Sequence, residues 1–174
     1  MGNKKEFLLF IVDDDPMQLE MLKDHLSKFK NFAVKTFPTG EECLMHLSEK
    51  PNVIILDYNL NSVAKNAING LDVLKLIKKD APDAEVIMLS GQEKIEVAVN
   101  IMKYGAFDYV VKNESSFYRA ENALVNIVRR FKLTKEAKLF KKLAYIFAIG
   151  FIVLLLVIAI LFLTGHITNN VGWI

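Results

Sequence analysis

Three acidic residues directly follow an apolar segment near the beginning of the chain. The segment Phe7–Val12 is rich in branched and aromatic side chains, and Asp13, Asp14, Asp15 and Pro16 come next. A short apolar run of this composition predicts a buried strand of a parallel sheet. Like charges at its end repel one another unless a cation or a proton accompanies them. The alternative is a solvated loop with a helix cap before Pro16, which accounts for only one or two of the acids.

Polar groups also follow the other apolar segments, at positions that suit phosphoryl chemistry. Asp57, Ser90, Tyr109 and Lys112 lie at or just beyond the ends of three later apolar runs. Clustered carboxylates completed by water suit octahedral Mg²⁺ better than a soft metal. A carboxylate beside that metal can attack phosphorus and form an aspartyl phosphate. The metal and a Lys then neutralise the charge on the phosphoryl oxygens, and Ser90 can donate a hydrogen bond to one of them.

The order of elements explains how these residues come together. Short apolar runs alternate with amphipathic stretches, which predicts an α/β fold: a doubly wound, five-stranded parallel sheet with helices on both faces. The predicted strands are Phe7–Val12, Phe32–Thr36, Val53–Leu56, Val86–Leu89 and Phe107–Val111. The predicted helices are Pro16–Phe29, Gly40–Leu47, Leu71–Lys79, Ile95–Lys103 and a segment from Ser116 onward. Ligands of such sheets bind at the carboxyl ends of the strands, where the candidate residues lie.

The chain resembles the receiver domain of bacterial response regulators over roughly residues 6 to 130. The matching motifs are FIVDDDP, VIILDYNL, IMLSGQ and GAFDYVVKN. The resemblance implies the flavodoxin-like receiver fold and a bound Mg²⁺. It also implies that Asp13 and Asp14 are the acidic pair that holds the ion and that Asp57 is the phosphoacceptor.

The same resemblance assigns roles to the remaining site residues. Ser90 matches the residue that contacts the phosphoryl group and takes part in switching, and Tyr109 matches the aromatic switch residue. Lys112 matches the Lys that pairs with the phosphoryl group, and Asn59 lies where the family offers a backbone carbonyl to the metal. Asp15 matches no functional position, so we expect it to cap the first helix.

Three departures from the family pattern stand out. Receiver domains usually follow the signature Lys with Pro, commonly through a cis bond, but Asn113 follows Lys112 here. We therefore expect a trans bond and a displaced Lys, since a non-proline cis bond costs about 2.5–4 kcal/mol. The loop 58–69 is longer than the usual connection to Gly70 and is expected to be a lid or a partner contact. Finally, an apolar helix stands where an output domain usually follows.

That helix is predicted to cross a membrane. Residues 144–164 carry no charge and, at about 1.5 Å per residue, match a hydrocarbon core of roughly 30 Å. The alternative is a fully buried core helix. Basic residues crowd the side before the span and none follow it, which places the N-terminal domain in the cytoplasm. These residues are Arg129, Arg130, Lys132, Lys135, Lys138, Lys141 and Lys142.

Four segments follow from this interpretation: a receiver domain (1–131), a basic juxtamembrane helical linker (132–143), a transmembrane helix (144–164) and a short external tail (165–174). The net charge of +2 does not indicate a nucleic-acid partner, because the basic residues concentrate beside the membrane. The single Cys43 lies among apolar neighbours and is predicted to be a core residue of a protein in a reducing compartment.

The predicted function is that of a single-pass bacterial inner-membrane signalling protein. It would receive a phosphoryl group from a histidine kinase or phosphotransfer protein, would catalyse no other reaction, and would form a homodimer through the last receiver helices. One alternative is a membrane scaffold with a degenerate receiver fold, which the Asn113 substitution motivates. Another is a haloacid-dehalogenase-like phosphatase, but the Asp-x-Asp-x-Thr/Val pattern of that family is not matched, since Met17 follows Pro16.

Overall fold

A computed structural model describes residues 7–60 and 68–163 of the chain. Within them, five strands alternate with five α-helices. The strands are β1 (Phe7–Val12), β2 (Phe32–Phe37), β3 (Val53–Asp57), β4 (Glu85–Ser90) and β5 (Asp108–Val111). The helices are α1 (Pro16–Leu26), α2 (Gly40–Met45), α3 (Gly70–Asp80), α4 (Ile95–Lys103) and α5 (Ser116–Leu163). Every strand ends within one residue of its predicted bounds.

Two helices are shorter than the sequence predicts. Helix α1 ends at Leu26 rather than Phe29, because the chain turns there and the Phe29 ring packs edge-on against Phe32 at the start of β2. Helix α2 ends at Met45, and a separate 3₁₀ turn follows at Leu47–Glu49. Apolar periodicity continues through both turns, so it does not mark where the helical hydrogen bonds stop.

All five strands are parallel, in the order β2-β1-β3-β4-β5. The strands β1 and β3 lie in the middle of the sheet, and each residue of β3 is buried. Helices cover both faces, which explains why these strands are continuous apolar runs rather than alternating ones. The strand order reverses between β1 and β3, so the crevice at their carboxyl ends is the expected ligand site.

The core lies on both faces of this sheet. One face packs Phe10, Ile54 and Leu56 against α3, which contributes Leu74 and Ile77. On α5, Ala120, Leu124 and Ile127 are buried, at spacings of four and three residues that place them on one side of the helix. The first part of α5 therefore belongs to the core.

The chain divides into two compact units at the boundary between Val128 and Arg129. The described part of the second unit is the remainder of α5, and its residues are exposed apart from the half-buried Phe131. It contains an 18-residue window of mean hydropathy 3.1, none of which is buried, so by length and composition the helix can cross a membrane. Because buried core helices cover such windows, this exposure favours a span over a core helix.

The core packing predicts a large effect for one substitution on α3. Leu74 is fully buried between α3 and the sheet, so Leu74→Ala should lower the free energy of unfolding by about 2–5 kcal/mol. Ile95→Ala is the matched control, because Ile95 is 76% exposed and should change stability by less than about 0.5 kcal/mol. Urea unfolding of the full chain in detergent micelles, followed by near-ultraviolet circular dichroism, measures both. Equal midpoints for the two variants would contradict this packing.

Candidate functional site

Three carboxylates meet at the carboxyl ends of the two central strands. Asp13 and Asp14 directly follow β1, and Asp57 is the last residue of β3. One oxygen from each side chain lies within 4.8 Å of the other two. Asp13 and Asp57 are buried, and Asp14 is half-buried. The structure thus brings together the acids that the sequence places at neighbouring strand ends, and their mutual repulsion needs positive charge to offset it.

Lys112 supplies one such charge. It follows β5, and its Nζ donates a hydrogen bond to Asp13 Oδ2 at 2.8 Å. The same Nζ lies 2.9 Å from Asp57 Oδ1, as an ion pair without hydrogen-bond geometry. Within the described residues, Asp57 Oδ1 is therefore a buried carboxylate oxygen with no hydrogen-bond donor. A bound cation or a new covalent bond would stabilise a buried anionic oxygen that has no hydrogen-bond donor.

The pKa directions agree with this arrangement. Burial raises the pKa of Asp57, and the charge of Asp13 adds to the increase, while Lys112 and the backbone N–H of Asn59 oppose it. Burial lowers the pKa of Lys112, but its hydrogen bond to Asp13 and the charge of Asp57 outweigh burial, so the net pKa is raised. Lys112 therefore remains an ammonium group at neutral pH.

The cluster of acids fits a hard divalent cation. Carboxylate oxygens from three side chains, one of them without a hydrogen-bond donor, form a donor set that Mg²⁺ prefers, with water in the remaining positions. The side chains that would hold the ion are Asp13, Asp14 and Asp57. Asn59 lies two residues after Asp57, and its backbone N–H lowers the Asp57 pKa, while the predicted role of its carbonyl stays a prediction.

Ser90 and Tyr109 are linked through the backbone of Gln92. Ser90 is the fully buried last residue of β4, and its hydroxyl accepts a hydrogen bond from the Gln92 N–H at 3.1 Å. Tyr109, in β5, donates its hydroxyl hydrogen to the Gln92 carbonyl. The sequence does not predict that Gln92 links these two residues, because almost any residue type can supply a backbone N–H and carbonyl.

Asn113 follows Lys112 in the turn before α5, in place of the usual Pro. The Lys112–Asn113 bond is trans, as expected, yet Lys112 reaches both carboxylates. The Asn113 side-chain oxygen accepts hydrogen bonds from the N–H and hydroxyl of Ser115, at 3.0 and 2.8 Å, and its carbonyl accepts from the Ser116 N–H at 3.0 Å. These bonds fix the turn that holds Lys112 beside the acids.

Asp15 is a helix cap, as predicted. Its Oδ1 accepts hydrogen bonds from the backbone N–H groups of Met17 and Gln18, at 2.8 and 3.4 Å, and Pro16 occupies the first helical position. Its own N–H donates to Asp13 Oδ1 at 3.0 Å. The third acid thus positions the first helix and one site carboxylate without joining the cluster.

The loop after Asp57 is anchored at both ends. The Gly70 N–H donates to the Tyr58 carbonyl at 3.0 Å, and Leu60 is buried in the core. A Cβ at Gly70 would lie 2.2 Å from the Asp57 carbonyl oxygen and 2.7 Å from Tyr58 Cα. Only glycine lets α3 start this close to the backbone of the candidate phosphoacceptor. Residues 61–67, which carry most of the predicted lid, lie outside the described residues.

Comparison with known proteins identifies the family of this chain. The model of the response regulator receiver domain matches residues 9–121, and the chain belongs to this family. An NtrX-like response regulator of Rickettsia conorii is 34% identical over 128 residues, which cover 73% of this chain and 25% of that protein. The C4-dicarboxylate response regulator DctR of Halalkalibacterium halodurans is 30% identical over 142 residues, or 80% of this chain and 59% of that protein.

Solved structures show the same fold. The BeF3-activated receiver domain of DrrB is 30% identical, with a TM-score of 0.57, and the match covers 68% of this chain and 97% of that one. A LuxO-repressor receiver domain from Vibrio parahaemolyticus has a TM-score of 0.65 at 24% identity, over 75% of this chain and 95% of that one. The chain spans only a quarter of the length of the Rickettsia relative, so the activities of such whole regulators are not transferred by this match.

The close approach at Gly70 predicts a second mutational effect. Gly70→Ala should lower stability by about 1–3 kcal/mol and weaken Mg²⁺ binding, because the new methyl group displaces the Asp57–Tyr58 backbone. Gly91→Ala is the matched control, since nothing lies within 4 Å of a Cβ there. Thermal unfolding and calorimetric Mg²⁺ titration of the full chain in micelles measure the two effects. Wild-type Mg²⁺ affinity in Gly70→Ala would show that this backbone does not set the metal site.

Proposed function

We propose that this chain is a membrane-anchored receiver that accepts a phosphoryl group on Asp57 in a two-component phosphorelay. The donor is a histidine kinase or a phosphotransfer protein. The observation that carries the proposal is the buried Asp57 Oδ1, which lacks a hydrogen-bond donor among the described residues and lies 2.9 Å from the Lys112 ammonium. A nucleophilic oxygen held beside fixed positive charge is what transfer to a carboxylate requires.

The chemistry is a single phosphoryl transfer to Asp57, followed by hydrolysis of the acyl phosphate, in which water attacks phosphorus and inorganic phosphate leaves. A carboxylate oxygen of Asp57 bonds to phosphorus as the bond from phosphorus to the donor breaks, and that electron pair leaves with the donor. The Lys112 ammonium and the Ser90 hydroxyl would bind the phosphoryl oxygens. Bound Mg²⁺, held by Asp13, Asp14 and Asp57, supplies positive charge that offsets the charge on those oxygens. Self-phosphorylation and hydrolysis of the acyl phosphate are the only reactions proposed.

Switching would run through the hydrogen bonds of Gln92. If the Ser90 hydroxyl turns to the phosphoryl group, it gives up the bond from the Gln92 N–H, and Gln92 also carries the acceptor for Tyr109. The segment 91–94, which contains Gln92, leads into α4. The exposed apolar side chains of α4 include Ile95 and Val99. A change at the site can thereby alter a surface suited to a protein partner or to a second copy through the last receiver helices.

The alternative of a phosphorylation-independent scaffold has less support. It was motivated by Asn113, but the turn made by that residue keeps Lys112 in contact with both acids. A degenerate site would not need to retain this set of buried charges, which is costly to bury without a ligand. The phosphatase alternative finds no support in the family match, which is to the receiver domain.

The membrane anchor rests on the second unit. Its apolar window is long enough to span a bilayer, and basic residues precede it while none follow it in the chain. By the positive-inside rule the receiver domain lies on the cytoplasmic side. The membrane proposed is the bacterial inner membrane. The receiver then meets its kinase at the membrane surface.

The phosphoacceptor assignment predicts a gain of mass that depends on Asp57. The full chain in micelles, incubated with acetyl phosphate and Mg²⁺, should gain one phosphoryl group, and Asp57→Asn should gain none. Asp15→Asn is the matched control and should be phosphorylated like the wild type, because Asn also caps helices and the backbone N–H that contacts Asp13 is unchanged. Intact mass spectrometry makes the measurement. A phosphoryl group that persists in Asp57→Asn, or none in the wild type, contradicts the assignment.

The anchor predicts that the protein stays in membranes after carbonate or high-salt washing. A reporter fused after Ile174 should read as external. The matched control is a chain that stops after Lys142, which lacks the apolar window and should appear in the soluble fraction. Release of the full chain by carbonate would mean that the segment only lies on the surface.

A further inference from the structure

Five apolar side chains form a stripe along the second unit, at alternating spacings of four and three residues. The heptad stripe consists of Leu133, Ala137, Phe140, Ala144 and Phe147. At 3.6 residues per turn these positions fall within an arc of about 80° on the helix. Leu133 is 60% exposed, and Phe140 and Phe147 are each 76% exposed. Since the first three precede the predicted span, their exposure to water calls for a covering surface.

The charged residues around the stripe follow the pattern of a two-stranded coiled coil. With Leu133, Phe140 and Phe147 at d and the two alanines at a, the lysines before the span fall at the outer b, c and f positions, apart from Lys141. These outer lysines are Lys132, Lys135, Lys138 and Lys142. Within the span every position is apolar, so the evidence for the pattern comes from the residues before it.

Glu136 and Lys141 occupy the remaining flanking positions in a complementary way. Glu136 is at g and Lys141 at e, five residues later, which are the positions that face each other across a parallel pair of helices. Glu136 is the only acidic residue after Glu121. Neither side chain forms an ion pair or hydrogen bond with another described residue of its own chain. A second copy would supply the partner of each.

We propose that two copies of this chain associate in parallel through the heptad stripe, with Glu136 of each copy facing Lys141 of the partner subunit. The proposal rests on the membrane anchor proposed above, which inserts both copies in the same direction and concentrates them in one plane. The helix continues unbroken from this segment into the apolar window, so the stripe does not turn aside to lie along the bilayer. This favours a second copy over lipid as the covering surface.

Cysteine crosslinking of the full chain in membranes tests whether the heptad stripe is the helix face that contacts the second copy. Ala137→Cys and Phe140→Cys should give severalfold more disulfide-linked dimer than Lys138→Cys and Lys142→Cys, which lie on the opposite side of the helix. The wild type gives the baseline, because Cys43 is buried and burial raises its pKa to about 12. Equal dimer from all four positions, or dimer from none, would overturn the proposal.

A charge exchange separates a second copy from a lipid surface. In the Phe140→Cys background, Glu136→Lys and Lys141→Glu should each lose most of the crosslinked dimer by placing like charges opposite each other, and the double exchange should restore it. Binding to anionic lipid depends on net charge, which rises in Glu136→Lys and falls in Lys141→Glu. Opposite effects of the two single exchanges would therefore favour lipid, and these, or no restoration in the double variant, would overturn the proposal. Two controls separate this proposal from the proposed function. Release of the protein by carbonate washing of the same membranes would mean that the anchor has failed. Crosslinking that is unchanged in Asp57→Asn would show that association does not depend on phosphorylation.

Discussion

Confinement of like charges at the end of two buried strands is the constraint on which the rest of this structure depends. Two unit charges 4 Å apart repel by about 4 kcal/mol at an effective dielectric constant of 20, and burial strengthens the repulsion. The ammonium of Lys112 reduces it by contacting Asp13 and Asp57 together. The turn at Asn113 and the order of the strands serve to place that ammonium.

The sequence predicts the sheet well because its central strands are covered on both faces. Continuous apolar runs such as Phe7–Val12 have no other good interpretation at this length, and parallel connections then bring the strand ends to one edge. The cluster of Asp13, Asp14, Asp57 and Lys112 follows from that topology. The family resemblance adds the roles that spacing alone leaves open.

What the sequence does not predict are the interactions made by peptide groups and by local turns. The Gln92 backbone joins Ser90 to Tyr109, and the Asn59 N–H lowers the Asp57 pKa, yet neither role needs a particular side chain. Asn113 was expected to disturb the site because Pro is usual there. Its side-chain oxygen instead accepts two hydrogen bonds from Ser115, which fix the turn that the ring of Pro would otherwise restrict. The residue type alone does not predict these hydrogen bonds.

The hydrogen bond from Gly70 to Tyr58 has a consequence for protein engineering. It brings Tyr58 and Gly70, which lie at the two ends of the connection after β3, within hydrogen-bond distance of each other. Loop-closure free energy rises by only about 0.6 kcal/mol for each doubling of loop length. The connection is therefore a suitable insertion point for a fluorescent reporter next to the carboxylates, where the probe would sense occupancy without interrupting a strand or a helix.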